Sequence, residues 1–356
     1  YERILKVALD IVMILSKAKT QKRITDILTN IPDIVSEILS NQMMLRQDFV
    51  GRLYHKITGD VSARKGYATF YTKPAIALLL AKLAMHSEPE FDIDWGDLSK
   101  IKDFKVSDFA CGSGTLLSAV YNIIFSNYVK KSQSEGKTID VDKFHKTVIE
   151  NCIYGFDALE KAAQMASAVL ALHVPGVRLD VMNIYAVPLG ERSLGSLNLL
   201  PAFSWDMEQI GLNNSIRNIA QWSKFDLVIM NPPFSRSTAP GKAGSKPSIF
   251  GFITDEREFE KMWSRYKELI DKEIVGNGSK SKKHYEINKM IEDIVKKGSL
   301  NKQAVNPLNA GAALPFIFLA DKYTKDNGKI ALVLPKSVLS NSSFLYARAL
   351  ILKNYN

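Results

Sequence analysis

Val106-Ser107-Asp108-Phe109-Ala110-Cys111-Gly112-Ser113-Gly114-Thr115 closes a short apolar run on a carboxylate, turns on two glycines and opens onto a helical pattern. Glycines at 112 and 114 let the backbone approach a ligand closely, and the helix start that follows offers free N–H groups to a carboxylate or phosphate. A tight strand-to-helix connection alone also explains such a turn. A nicotinamide dinucleotide site expects a second acid about 20 residues further on. The acid that ends the next expected strand, Asp157, lies 49 positions after Asp108, and an inserted helix around Val141 to Glu150 accounts for the longer path.

Outward from this turn, strand and helix signals alternate. Strands are expected at Lys105–Phe109, Cys152–Phe156, Val177–Val181, Phe225–Met230 and Lys329–Leu334, and helices at Gly114–Tyr128, Leu159–His173 and Ala312–Thr324. The alternation predicts an α/β domain, a mainly parallel sheet covered by helices on both faces, with ligands at the carboxyl ends of the strands. A helical N-terminal region precedes it over residues 1–66, with apolar residues at helical spacing in Ile4, Leu5, Ala8, Ile11, Val12 and Leu15. A further helix is expected at Pro74–Met85. Two stretches break the rhythm. Pro188–Ser223 reads as a long connection, and Ser235–Asn309 as a polar insertion with Lys280, Lys282, Lys283 and His284 clustered in it, either a solvated surface turn or a phosphate contact.

The 356 residues suffice for a full core, and 46% are hydrophobic. A formal charge of +10 and a pI near 9.3 favour a polyanionic partner only weakly, because the basic residues are widely spread. Cys111 and Cys152 form neither a disulfide framework nor a metal-ligand spacing, so the expectation is a reducing, cytoplasmic setting and no metal. The apolar opening, Ile4 to Leu15, is interrupted by Lys6 and Asp10 and is too short to span a bilayer. A chain that begins at Tyr1 and ends at Asn356 directly after an apolar run reads as a piece of something longer.

Function is carried by Phe225-Asp226-Leu227-Val228-Ile229-Met230-Asn231-Pro232-Pro233-Phe234. Prolines that stop a strand explain Pro232 and Pro233 alone. They do not explain Asn-Pro-Pro-aromatic at a strand end in a chain that already carries the glycine turn. An exocyclic amine such as N6 of adenine is a poor nucleophile, because its lone pair is delocalised into the ring. The side-chain oxygen of Asn231 and the main-chain carbonyl of Pro232 can each accept one amine hydrogen, with proline rigidity fixing both acceptors. Phe234 offers a ring face to a base swung out of its duplex. Asp157 is placed to accept from ribose hydroxyls or to cap the next helix. Asp180, past the third expected strand, is either a contact to a cofactor's adenine amine or an ordinary loop residue.

Together, Tyr67–Thr72, Asp108–Leu117 and Asn231–Phe234 resemble, in order, the motifs of gamma-class N6-adenine DNA methyltransferases. The chain is most similar to the modification subunits of type I restriction–modification systems. The likeness runs from about Asp48 to the end and takes in Leu53-Tyr54-His55, Ala310-Gly311 and Val333-Leu334-Pro335. It implies a Rossmann-like S-adenosylmethionine-dependent catalytic domain over 67–356, incomplete at its C-terminus. It also implies that Thr72, with Tyr71 beside it, contacts the methionine carboxylate of the cofactor. Asp108, Ala110, Gly112, Ser113 and Gly114 line the methionyl end, Asp157 holds the ribose, and Asn231, Pro232, Pro233 and Phe234 receive the flipped adenine. The partners implied are DNA and a specificity subunit or fused target-recognition domain, with a restriction subunit in some systems. A methyltransferase acting on RNA or on protein glutamine, and a non-catalytic cofactor-binding assembly module, are the alternatives that the same motif leaves open.

Overall fold

The computed structural model describes residues 72–200, 209–211, 216–217, 224–234, 253, 255–279, 281–297 and 305–355. The expected helical region 1–66, Leu53-Tyr54-His55, residues 67–71 with Tyr71, and Lys280 lie outside the described residues.

The chain order is α1 (Pro74–His86), α2 (Leu98–Ile101), β1 (Val106–Asp108), α3 (Thr115–Ser134), α4 (Val141–Asn151), β2 (Ile153–Asp157), α5 (Glu160–Ala171) and β3 (Asn183–Ala186). Short strands β4 (Leu189–Gly190), β5 (Ser193–Leu194), β6 (Gln209–Gly211) and β7 (Ile216–Arg217) follow, then β8 (Phe225–Met230). The remainder comprises α6 (Glu256–Leu269), α7 (Lys282–Lys297), α8 (Ala313–Tyr323), β9 (Thr324–Leu332), α9 (Ser337–Ser340) and α10 (Leu345–Asn354). Local chemistry sets the helix starts. Pro74 occupies the first turn of α1, where a missing N–H is harmless. Asp140 caps α4 by accepting from Lys143 N at 2.9 Å, and Asp255 caps α6 by accepting from Arg257 N and Glu258 N.

The main sheet runs β7-β6-β3-β2-β1-β8-β9. Its five central strands are parallel, while β6 and β7 add an antiparallel margin. From β1 the chain proceeds outward to β2 and β3 on one side, and later returns to β8 and β9 on the other. The strand order therefore reverses between β1 and β8, and in such sheets the ligand crevice opens at that point beyond the carboxyl ends.

Both faces are covered. Ile153, Leu227 and Ile229 pack with residues of α1, α3, α4 and α5, while Phe156, Val228 and Met230 pack with residues of α6, α8 and α10. A register irregularity between Phe225 and Leu227 turns Phe225 to the second face, against Phe109. Among the described residues, no helix is long and apolar enough to cross a membrane.

Two expectations need correction. The third parallel strand is Asn183–Ala186, with Gly155 paired to Ile184, and not Val177–Val181. Alternating apolarity also fits 177–181, but Ile184 and Tyr185 are the fully buried pair. The stretch 235–309 is more than a polar loop: α6 and α7 bury Phe259, Met262, Tyr266 and Ile287 in the second core. Its basic cluster is partly structural, because Lys283 pairs with Asp321 of α8, and Glu286 of α7 with Lys353 of α10.

Candidate active site

The turn from β1 into α3 is held by its own polar groups. Asp108, 1% exposed, accepts from Ala110 N at 3.0 Å, and Cys111 N donates to Phe156 O at 2.8 Å, so the turn is tied back to the end of β2. Gly112 adopts φ +54° and Gly114 φ +80°, both left-handed. A side chain at Gly114 would stand 3.0 Å from the Ala166 Cα of α5, so glycine there is what lets α3 and α5 approach. A side chain at Gly112 would meet nothing within 4 Å. The space beside that glycine is open, as a backbone cradle for a ligand requires.

Asp157 closes the turn from the neighbouring strand. Its Oδ2 accepts from Gly112 N at 2.9 Å and its Oδ1 from Leu159 N at 2.8 Å. The carboxylate thus both starts the segment leading into α5 and clasps the glycine turn. Burial pushes the Asp108 carboxyl well above the usual carboxylate range, and the nearby Asp157 charge adds to this. Burial raises Asp157 as well, against the backbone N–H groups of Leu159, Gly112 and Ala158. Two carboxyl groups thus sit together in a poorly solvated turn, each less acidic than it would be in water.

On the other side of β1, β8 delivers Asn231. Ser107 pairs with Val228 in parallel register, so the chain leaving β8 at Asn231 emerges beside the chain leaving β1, at an interstrand spacing of about 4.8 Å. Asn231 Nδ2 donates to Thr72 Oγ1 at 2.8 Å, which joins the segment before α1 to the strand end. Its Oδ1 is buried and has no hydrogen-bond partner among the described residues. A buried acceptor left unmade is expensive, and a ligand is one way to complete the bond. Pro232 is buried, Pro233 half-buried, and Phe234 is half-buried and packs against the second core.

The structure therefore brings Asp108, Ala110, Gly112, Ser113, Gly114 and Asp157 into one turn, with Asn231 and Thr72 bonded to each other at the adjacent strand end. Asp180 does not join them. It precedes β3, is exposed, pairs with Lys146 of α4 at 2.6 Å, and donates through its N–H to Glu150. That is the amino-terminal edge of the sheet, opposite the turn, because the third strand begins only at Asn183; of the two readings of Asp180, the position is that of a loop residue. The bond between Thr72 and Asn231 spans 159 positions and left no mark in the sequence. The clasp of Asp157 on Gly112 was equally hidden, since a carboxylate past a strand signals a cap or a hydroxyl acceptor first.

The family model of the N-6 DNA methylases matches residues 45–250, more than half of the chain. The chain belongs to the N-6 DNA methylase family. Its matched span takes in both the glycine turn and Asn231–Phe234, and enzymes of this family use a methyl donor. No curated protein sequence matches the chain. Among solved structures, the chain is similar to the one in the cryo-EM structure of the DrdV–DNA complex, with 15% identity, a TM-score of 0.49, and coverage of 86% of this chain and 24% of that one. A second similarity is to a crystal structure from Vibrio vulnificus YJ016 described as a modification subunit of a type I restriction enzyme. It shows 18% identity, a TM-score of 0.27, and coverage of 62% of this chain and 34% of that one. The chain spans about a quarter and a third of the lengths of those two proteins.

Proposed function

We propose that this N-6 DNA methylase chain transfers a methyl group from S-adenosylmethionine to the N6 amine of adenine in DNA, within a restriction–modification system. The single observation that carries the reading is the buried, unpartnered Oδ1 of Asn231 beside an open glycine turn. Family membership supports adenine in DNA as the substrate class.

The donor fits the residues present. S-adenosylmethionine supplies an electrophilic methyl group on a sulfonium. Gly112 leaves open space beside its backbone, Asp157 stands next to it as an acceptor for hydroxyls, and the start of α3 follows directly. Asn231 Oδ1 accepts one hydrogen of the target amine and the Pro232 carbonyl the other. This biases the nitrogen toward a localised pair aimed at the crevice. Phe234 stacks on the extruded base and offsets part of the unstacking cost, by about 1–3 kcal/mol. Sequence choice is assigned to a target-recognition domain or specificity subunit.

The test is transfer of labelled methyl groups by the full-length protein to DNA, tRNA, ribosomal RNA or protein, followed by identification of the modified base. N6-methyladenine in DNA is the expected product. Asn231→Ala is expected to leave donor affinity by calorimetry within a few-fold and to slow transfer by about 100-fold or more. Label entering only RNA or protein, or an alanine variant as fast as the parent, would overturn the reading.

A further inference from the structure

We infer that Thr72 is a positioning residue whose hydroxyl holds the Asn231 side-chain amide in the pose that leaves its oxygen to the target amine. The inference rests on the proposed role of Asn231 and goes beyond it. The resemblance to the gamma class assigns Thr72 to the donor, whereas the structure puts its oxygen on Asn231.

A side-chain amide has two faces of opposite character: Nδ2 carries only donors and Oδ1 only acceptors. They are nearly the same shape, so packing alone does not choose between them. Thr72 Oγ1 takes a hydrogen from Nδ2 at 2.8 Å. That bond leaves Oδ1 as the group turned away from Thr72, buried and without a partner among the described residues. With the amide reversed, Nδ2 would meet an amine that also has only hydrogens to offer, and the acceptor that localises the nitrogen pair would be lost. Neither flanking backbone group holds the amide in its place. Asn231 leaves a strand whose next carbonyl, that of Met230, is already used by Val333 N at 2.9 Å, and Pro232 has no N–H. Thr72 stands just ahead of α1, which contacts both α3 and β9, so the hydroxyl is anchored to the same layer that carries the glycine turn. Preorganisation of this kind shows as a faster chemical step and not as tighter binding.

The test uses the full-length protein with saturating labelled S-adenosylmethionine and adenine-containing duplex DNA under single-turnover conditions, with donor affinity measured by calorimetry. Thr72→Val keeps the shape and removes the acceptor, and it is expected to slow methyl transfer by about 10- to 100-fold while donor Kd changes less than about threefold. Thr72→Ser restores the oxygen and is expected to return transfer to within about threefold of the parent. A valine variant that transfers at the parental rate overturns the inference. So does one whose donor Kd weakens more than about tenfold and whose rate recovers when donor is raised, since that is the behaviour of a donor contact. Failure of the parent to methylate adenine in DNA at all is a failure of the proposed function, and is read from the unsubstituted protein.

Discussion

At the amino-terminal edge of the sheet, charges meet their partners: Asp180 lies against Lys146, and Asp226 accepts from Lys325 at 2.7 Å and from Lys105 N at 2.8 Å. At the carboxyl edge, Asp108 and Asp157 are buried beside each other with backbone N–H groups as their ties, and Asn231 keeps an acceptor unmade. The lysine bond draws Asp180 below the usual carboxylate range, whereas burial drives Asp108 and Asp157 above it. One edge is finished by the protein itself. At the other, the proposed target amine would complete the bond that Asn231 leaves unmade.

The largest effect expected outside the site comes from α4, whose exposed side carries Lys146 and whose buried side carries His145. His145 is 0% exposed, its Nδ1 lies 2.9 Å from the Tyr121 hydroxyl, and burial lowers its pKa to about 4. A depressed pKa means that the unfolded chain takes up the proton first. The stabilisation is therefore complete above about pH 6.5 and is lost as pH falls toward about 4, by about 3 kcal/mol in all. Urea midpoints at pH 7.5 and 4.5 should differ accordingly, and His145→Gln should remove most of that difference. An unchanged acid-side drop in the variant would show that another group governs it.

The two glycines of the turn separate scaffold from site. Gly114→Ala combines left-handed strain with a Cβ 3.0 Å from Ala166 Cα, a backbone atom that cannot yield, and is expected to cost about 2–3 kcal/mol in thermal unfolding. Gly112→Ala meets open space and is expected to cost only about 1 kcal/mol, yet to weaken donor binding more than tenfold, because the added methyl occupies the cradle. Equal donor affinities for the Gly112 variant and the parent would remove Gly112 from the donor site. The smallest effect is at the amino edge. Asp180→Ala breaks an exposed pair, and transfer is expected within about twofold of the parent with no measurable change in melting temperature.

Much of this architecture could be read from residues. The turn at 112–114, the strand Phe225–Met230, which the structure reproduces residue for residue, and the helices 141–151, 160–171 and 313–323 follow from local patterns of period 2 and 3.6 with glycine and proline at their ends. Such patterns are short-range physics, set by the steric needs of each residue and its near neighbours. The third strand escaped because two adjacent segments, 177–181 and 183–186, both suit an extended chain, and the choice lay in whether Ile184 and Tyr185 could bury against β2. The inserted helices escaped for the same reason, since their apolar stripes acquire meaning only against the core that receives them.

Sequence patterns put a glycine turn and an Asn-Pro-Pro-Phe segment at strand ends, because strand polarity and turn chemistry are encoded locally. That the two strands are neighbours, that Asp157 clasps Gly112 across 45 positions, and that Thr72 holds the amide of Asn231 across 159 were settled by folding. These are contacts between distant segments, and their geometry is fixed by how the helices pack on the sheet, which no stretch of chain contains on its own.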